Sequence, residues 1–463
     1  MRRMGCAEYR LTQRLSRREA LRVGGLFGLG ITLPAVLQAR DKAPRDASPT
    51  FGRAKRVVML FLHGGHPQQE TFDPKPDGPA AVRGEFGAIA TSVPGVQFCE
   101  LLPKCAGIMD RLAVIRSMSH DNPNHVQACL PAQTGHKHGP EVKSRGDFPP
   151  SNTDFPPFGA VLDAIRPARG ALPTWVRVGP LMRRNNGTVL HGQLPGFLGA
   201  AHTHFAVDQS LLADDVQVDA IAPADDLTAV RLSARRDLLE QFDAHRRLID
   251  QSADAQNLDR FYERAFSLLS SPDTRRAFDL AAESPQTRAR YGQTEFGQRC
   301  LLARRLAEAG VPMVNVSYCH TPKGSWDTHS RNFTQMKDSL APTLDAAFTA
   351  LVEDMGERGL LDDTLLIVNA EFGRTPQINK NAGRDHWPWV YSLAVAGAGI
   401  RPGTVYGASD NAAAYPTADP HDPRDFAATV YHLLGIPPQT VIHDTLGRPH
   451  QLIIGQPIAG LLA

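Results

Sequence analysis

A doubly wound α/β/α sandwich is the fold class this sequence predicts, on three observations. Short, continuously apolar runs recur along the chain, "KRVVMLFLHGG" and "TLLIVNA" being the clearest, as strands covered on both faces require. Helical patterns lie between several of them, so strand, helix and strand alternate. The 463 residues are 42% hydrophobic and 21% charged, a balance that builds a core and excludes a disordered or coiled-coil chain. That length suits one large α/β domain with insertions, or two ordinary domains.

In chain order, "LSRREALRVGGLFGLGITLPAVLQA" comes first, with Ser16, Arg17 and Arg18 ahead of a short, Gly-rich apolar stretch from Val23 to Leu37 and a small Ala39. It resembles a twin-arginine export signal over residues 1–39. The resemblance implies periplasmic or extracellular localisation and the twin-arginine export machinery as a partner. Residues 40–55 read as a linker, small, charged and Pro-containing. A domain follows over 56–463, opening on the "KRVVMLFLHGG" strand. "RLAVIRSM" (Arg111 to Met118), "TWVRVG" (Thr174 to Gly179), "VPMVNVSYC" (Val311 to Cys319), "TLLIVNA" (Thr364 to Ala370) and "VYSLAVAG" (Val390 to Gly397) share its parallel-strand character. Residues 227–309 are charged and helix-periodic, a helical insertion leading into a helix that covers the sheet, with the charge on a solvated face. After it, Leu340, Leu344, Ala347, Phe348 and Leu351 keep a 3.6-residue period, as one buried helix face does.

Composition narrows the partners. Net charge is +2 and no basic block interleaves with aromatics, so nucleic acid is excluded as the main partner. Beyond the N-terminus no apolar run approaches the roughly 18 residues of a membrane span. Of six cysteines, Cys6 lies in the signal and the remaining five lack CxxC spacing; Cys99 and Cys105 either pair or are buried free thiols.

Ligands of open parallel sheets bind beyond the carboxyl ends of the strands, and there the polar groups collect. His63, His66, Glu70 and Asp73 follow the first strand; His120, Asp121, Asn122, Asn124 and His125 the second. His320, Asp327 and His329 follow "VPMVNVSYC", and Glu371, Arg374, Arg384, Asp385 and His386 follow "TLLIVNA". Imidazole and carboxylate are the usual ligands of zinc and manganese, and carboxylate suits magnesium or calcium. The candidate metal ligands are His63, Asp327, His329, Glu371 and His386, with Asp327 and His329 pointing the same way from an extended loop. His125 is a general acid/base or a further ligand. Arg374 and Arg384 suit an anion, since a guanidinium donates two parallel hydrogen bonds. Ser117 and Ser119 are alternative nucleophiles. Asp73 with Lys75 reads as a turn with an ion pair, His66 and His136 as surface or hydrogen-bonded histidines, and Gly64, Gly65 and Gly373 as turn glycines.

"HGGHPQQETFDPKP", "IRSMSHDNPNHVQA", "GSWDTHSRN", "AEFGRTP", "GRDHW" and "HLLGIPP" together resemble the exported, sulfatase-like proteins of domain-of-unknown-function family 1501, within the alkaline phosphatase superfamily. The resemblance runs from about Arg56 to the C-terminus and implies an alkaline-phosphatase-like sandwich; fold alone does not fix function. Where sulfatases carry paired aspartates after the first strand, His63 and Gly64 stand here. Their Asp followed by His or Asn is replaced by Glu371 and Phe372. Counting back from Thr134 and Gly135, the position of their modified cysteine holds His125, so a formylglycine sulfatase is not expected. The expected function is a metal-dependent hydrolase of a phosphate or sulfate ester, on a small molecule or polysaccharide. The alternative is an inactive secreted module binding anionic polysaccharide through Arg374 and Arg384.

Overall fold

A computed structural model describes residues 48–139, 146–168, 170–219, 221, 268, 271–318 and 326–463. The export signal, half of the linker and much of the helical insertion lie outside the described residues, as does His320. Among the described residues the six apolar runs, with two further three-residue strands, form an eight-stranded sheet: β1 (Arg56–Phe61), β2 (Ala113–Met118), β3 (Trp175–Val178), β4 (Phe205–Val207), β5 (Met313–Ser317), β6 (Thr364–Asn369), β7 (Tyr391–Ala396) and β8 (Thr404–Tyr406). Their order is β8-β2-β7-β6-β1-β5-β3-β4.

Seven strands run parallel, but β7 is antiparallel to both β2 and β6, so the sheet is mixed where the sequence suggested one more parallel strand. The connection explains it: a parallel return needs a crossover, usually a helix, and residues 370–390 contain no helix. The chain turns back over the carboxyl edge instead. This keeps "EFGRTP" and "GRDHW" in one excursion above the sheet, where Gly373–Arg374 and His386–Trp387 pair as an antiparallel ribbon.

Alternation along β1 builds both layers. Val57, Met59 and Phe61 join one buried cluster with α1 (His125–Thr134), α2 (Phe158–Ile165) and α5 (Pro423–Leu433). Val58, Leu60 and Leu62 join the other with α3 (Glu295–Ala309) and α4 (Ala341–Glu357). The α4 stripe of Leu344, Ala347, Phe348 and Leu351 is fully buried. From Gly52 to Ala463 the two layers and the sheet form one compact unit. Cys99 and Cys105 are buried and free, the second of the two readings, and burial pushes the Cys99 thiol up to about 12. Asp73 and Lys75 form the ion pair read from the sequence, at 3.0 Å.

Candidate metal centre

The strand ends converge on one carboxylate oxygen. Asp327 Oδ1 lies 3.0 Å from His329 Nε2, 3.1 Å from His125 Nε2 and 3.2 Å from His386 Nε2. His329 Nε2 and His386 Nε2 are themselves 2.9 Å apart. His125, Asp327, His329 and His386 thus offer three nitrogens and one oxygen within ligand distance of a common point. His125 is in this set as a fourth donor.

Each imidazole is held from behind. His125 Nδ1 meets Glu371 Oε1 at 2.6 Å, His329 Nδ1 meets Asp385 Oδ1 at 2.6 Å, and His386 Nδ1 meets the Pro123 carbonyl at 2.7 Å. A carboxylate or carbonyl can only accept, so each Nδ1 carries the proton; in the neutral form each Nε2 then presents a lone pair to the cluster, although the neighbouring Asp327 and Asp385 raise the pKa of His329 in the absence of a metal. Two lone pairs facing each other at 2.9 Å repel unless a cation lies between them. For ligand bonds of roughly 2.0 Å, tetrahedral geometry separates donors by roughly 3.3 Å; the observed spacings are close to that edge. The donor set therefore fits a divalent metal.

Local structure fixes these groups. His125 is the first residue of α1, whose N-cap Asn124 accepts from the Gln127 N–H. Gly64 takes φ +108°, and a Cβ there would lie 2.4 Å from the Asp327 nitrogen; its own N–H donates to Glu371 Oε1 at 2.8 Å. Gly373 is equally tight, its virtual Cβ 2.4 Å from Gln68 Oε1. Glu371 is therefore placed behind His125, not among the four converging donors. His63 packs its ring edge-on to His125, centroids 6.0 Å apart, and burial lowers its pKa to about 4. Burial likewise lowers His386 to about 4. Burial acts to raise Asp327, but the polar surroundings of His125, His329 and His386 and the Arg374 charge hold it well below the usual carboxylate range.

The two candidate anion receptors sit differently from expectation. Arg374 is buried, donating to the carbonyls of Gly64, Gly65 and Arg384 and to Asp327 Oδ1 at 2.7 Å. Arg384 is buried against Glu70, with Nε 2.9 Å from Oε2, and donates to the carbonyls of Val82, Thr375 and Pro376. Both guanidinium groups are occupied by the protein itself. Ser117 Oγ donates to the Asp419 carbonyl at 2.6 Å, and is occupied too. The cation beside the cluster is Arg184, unremarked in the sequence: its Nη1 lies 3.7 Å from Asp327 Oδ2 and its Nε 3.5 Å from Asp147 Oδ2, with 28% of the side chain exposed. "LMRRNNGTV" carries no motif; only its tight turn, closed by Arg184 N–H to Thr188 O, hints at placement.

Residues 54–462 match the family described as protein of unknown function, DUF1501. The chain belongs to that family. Among solved structures, this DUF1501 protein is similar to the lipoteichoic acid synthase LtaP from Listeria monocytogenes, at 10% identity and TM-score 0.37, covering 93% of this chain and 82% of that one. An alkaline phosphatase superfamily protein from Vibrio parahaemolyticus gives 12% and 0.39, covering 91% and 75%. The PsFucS1 sulfatase from Pseudoalteromonas sp. gives 13% and 0.41, covering 89% and 72%. No curated protein matches the sequence.

Proposed function

We propose that this DUF1501 protein is an exported, metal-dependent hydrolase of phosphate or sulfate esters. The observation that supports this best is the convergence of three Nε2 lone pairs on Asp327 Oδ1, with every Nδ1 already anchored. His125, His329, His386 and Asp327 would hold the ion, and the three-nitrogen, one-oxygen set favours zinc or manganese over magnesium or calcium. A divalent cation bound there supplies Lewis-acid polarisation of the ester oxygen. The chain's own residues do the rest. Glu371 fixes the tautomer and orientation of His125. His63, kept neutral by burial, packs edge-on to the His125 ring and supports its position. Arg184 receives the non-reacting oxygens of the anion, since its guanidinium is partly exposed beside the cluster. Arg374 positions Asp327, and Arg384 anchors the ribbon through Glu70. With both arginines internal, the binding-module reading loses the receptors it relied on.

The test is elemental analysis of the mature protein beside Asp327→Ala, with turnover of p-nitrophenyl phosphate and sulfate. Near-stoichiometric metal lost in the variant, with ester turnover abolished by a chelator and KM raised by Arg184→Ala, is the expected result. A folded protein that takes up no metal from excess zinc or manganese overturns the reading. Export is tested separately, by replacing Arg17 and Arg18 with Lys and following accumulation outside the cytoplasm. Among the described residues, no helix is long and apolar enough to cross a membrane.

A further inference from the structure

Beside the ribbon that carries His386, three aromatic rings form a partly exposed ledge. Trp387 centres it, its ring centroid 6.5 Å from Trp389 and 5.7 Å from Tyr415, with interplanar angles of 82° and 66°. Trp389 is 37% and Tyr415 52% exposed. Large aromatics left in water at such a density mark a binding surface.

The ledge is locked to the candidate metal centre. Trp387 Nε1–H donates to the Ala414 carbonyl at 2.6 Å. The loop bearing Ala414 and Tyr415 is tightened by Asp410, whose Oδ1 accepts from the N–H of Ala412 and Ala414, and Ala413 is held at φ +49°. A non-glycine residue in that region persists only when its surroundings over-determine it, and such strain clusters at functional sites. Gln68 Nε2 donates both to the Ala413 carbonyl, at 2.9 Å, and to the Arg374 carbonyl, at 3.0 Å. One buried amide thus ties the loop of the ledge to the strand that carries Arg374, and through it to Asp327.

The surrounding chemistry narrows the ligand. Neither 385–392 nor 407–422 contains Lys or Arg, while Asp385, Asp410, Asp419 and Asp422 do occur there; the lysines that reach these segments, Lys75 at the Ser409 carbonyl and Lys137 at Asp422, are paired with Asp73 and Asp121. A nucleic acid or an anionic lipid surface needs cations beside its phosphates. An acyl chain needs continuous apolar surface, whereas Asn411, Thr417 and Asp419 are exposed around these rings. A sugar ring satisfies both conditions: its C–H face stacks on an aromatic face while its hydroxyls meet the polar rim.

We propose that Trp387, Trp389 and Tyr415 form a subsite for an uncharged sugar ring, beside the same ribbon that supplies His386 to the histidine cluster. This rests on the hydrolase reading for the role of the cluster and makes the substrate class a glycan ester. The test uses intrinsic fluorescence, since Trp175 and Trp326 are buried and Trp389 is exposed. Hexasaccharides of a β-glucan, of chitin and of a sulfated galactan are titrated into the mature protein, Trp389→Ala and Tyr415→Ala, with circular dichroism confirming the fold of each. Saturable fluorescence change in the wild type, with affinity about tenfold weaker in each variant, is expected. The ratio of kcat/KM for an esterified oligosaccharide to that for the p-nitrophenyl ester should fall by a similar factor. No fluorescence change with any of the three at millimolar concentration, or equal affinity in wild type and both variants, overturns the subsite. Ester turnover without glycan affinity removes the subsite and leaves the hydrolase; glycan affinity without ester turnover does the reverse.

Discussion

Asp327 is the residue on which three imidazoles and the guanidiniums of Arg374 and Arg184 meet, and the arginines show what each charge is for. Arg374 and Arg384 look alike in sequence, each after a strand and beside an acid, and that pattern suits anion binding. What sequence could not supply is the partner across space: Gly64, Gly65 and Asp327 for one, Glu70 for the other. A buried guanidinium without its carboxylate is costly. Glu70→Ala should therefore lower unfolding free energy by about 3–5 kcal/mol, read from urea denaturation. Metal bound per folded molecule should be retained, because Glu70 lies outside the four converging donors; loss of metal without loss of stability would place Glu70 in the site instead. His125, by contrast, was legible as a ligand or an acid/base because it occupies a strand-end position with the right chemistry. Arg184 was illegible because its loop, although it follows the carboxyl end of β3, carries no acid or histidine between Gly179 and Leu190 to mark it.

Among the elements, α1 and the excursion between β6 and β7 carry the site. The antiparallel course of β7 could have been read from the missing helix pattern in residues 370–390, since apolar runs alone do not report direction. The edge strands β4 and β8 span three residues each, too short for periodicity to register. Asn124 joins α1 to the far side of the site: its Oδ1 caps the helix through Gln127 N–H and its Nδ2 donates to Asp147 Oδ1 at 2.9 Å. Asn124→Ala should cost about 1 kcal/mol and weaken metal binding, because His125 begins the helix that loosens. Asn124→Asp keeps a capping oxygen but sets two carboxylates together. If the helix end positions His125, Asp should recover thermal stability relative to Ala more fully than it recovers metal affinity. Calorimetric melting and zinc titration of both variants check this, and equal recovery of the two quantities would uncouple Asn124 from the site.

At the scale of the whole molecule, the number of histidines buried in neutral form sets the response to acid. Away from the converging donors, burial lowers His66 and His136 to about 4 and His204 to about 3, against 6.5 in the unfolded chain. His66 sits among Phe72 and Trp326, and His136 stacks on Phe155 with centroids 3.3 Å apart. The folded state therefore binds fewer protons than the unfolded state between these values, and stability rises with pH across that window. It should be fully present above about pH 6.5, fall as pH drops toward 4, and then level off for these groups. For His66 alone the whole effect is roughly 3 kcal/mol. The carboxylates held low by ion pairs, such as Glu283 and Asp354, act in a different range, losing their contribution only as pH falls below their unfolded values near 4. Urea midpoints of the chelator-treated protein from pH 8 to pH 4 should thus show their steepest loss between 6 and 4.5. His66→Gln, which has no proton to gain there, should flatten that slope whatever it does to stability at pH 8. An unchanged slope in the variant would mean that His66 is solvated in the native state, and that the packing of this layer around Phe72 and Trp326 is looser than the side-chain contacts imply.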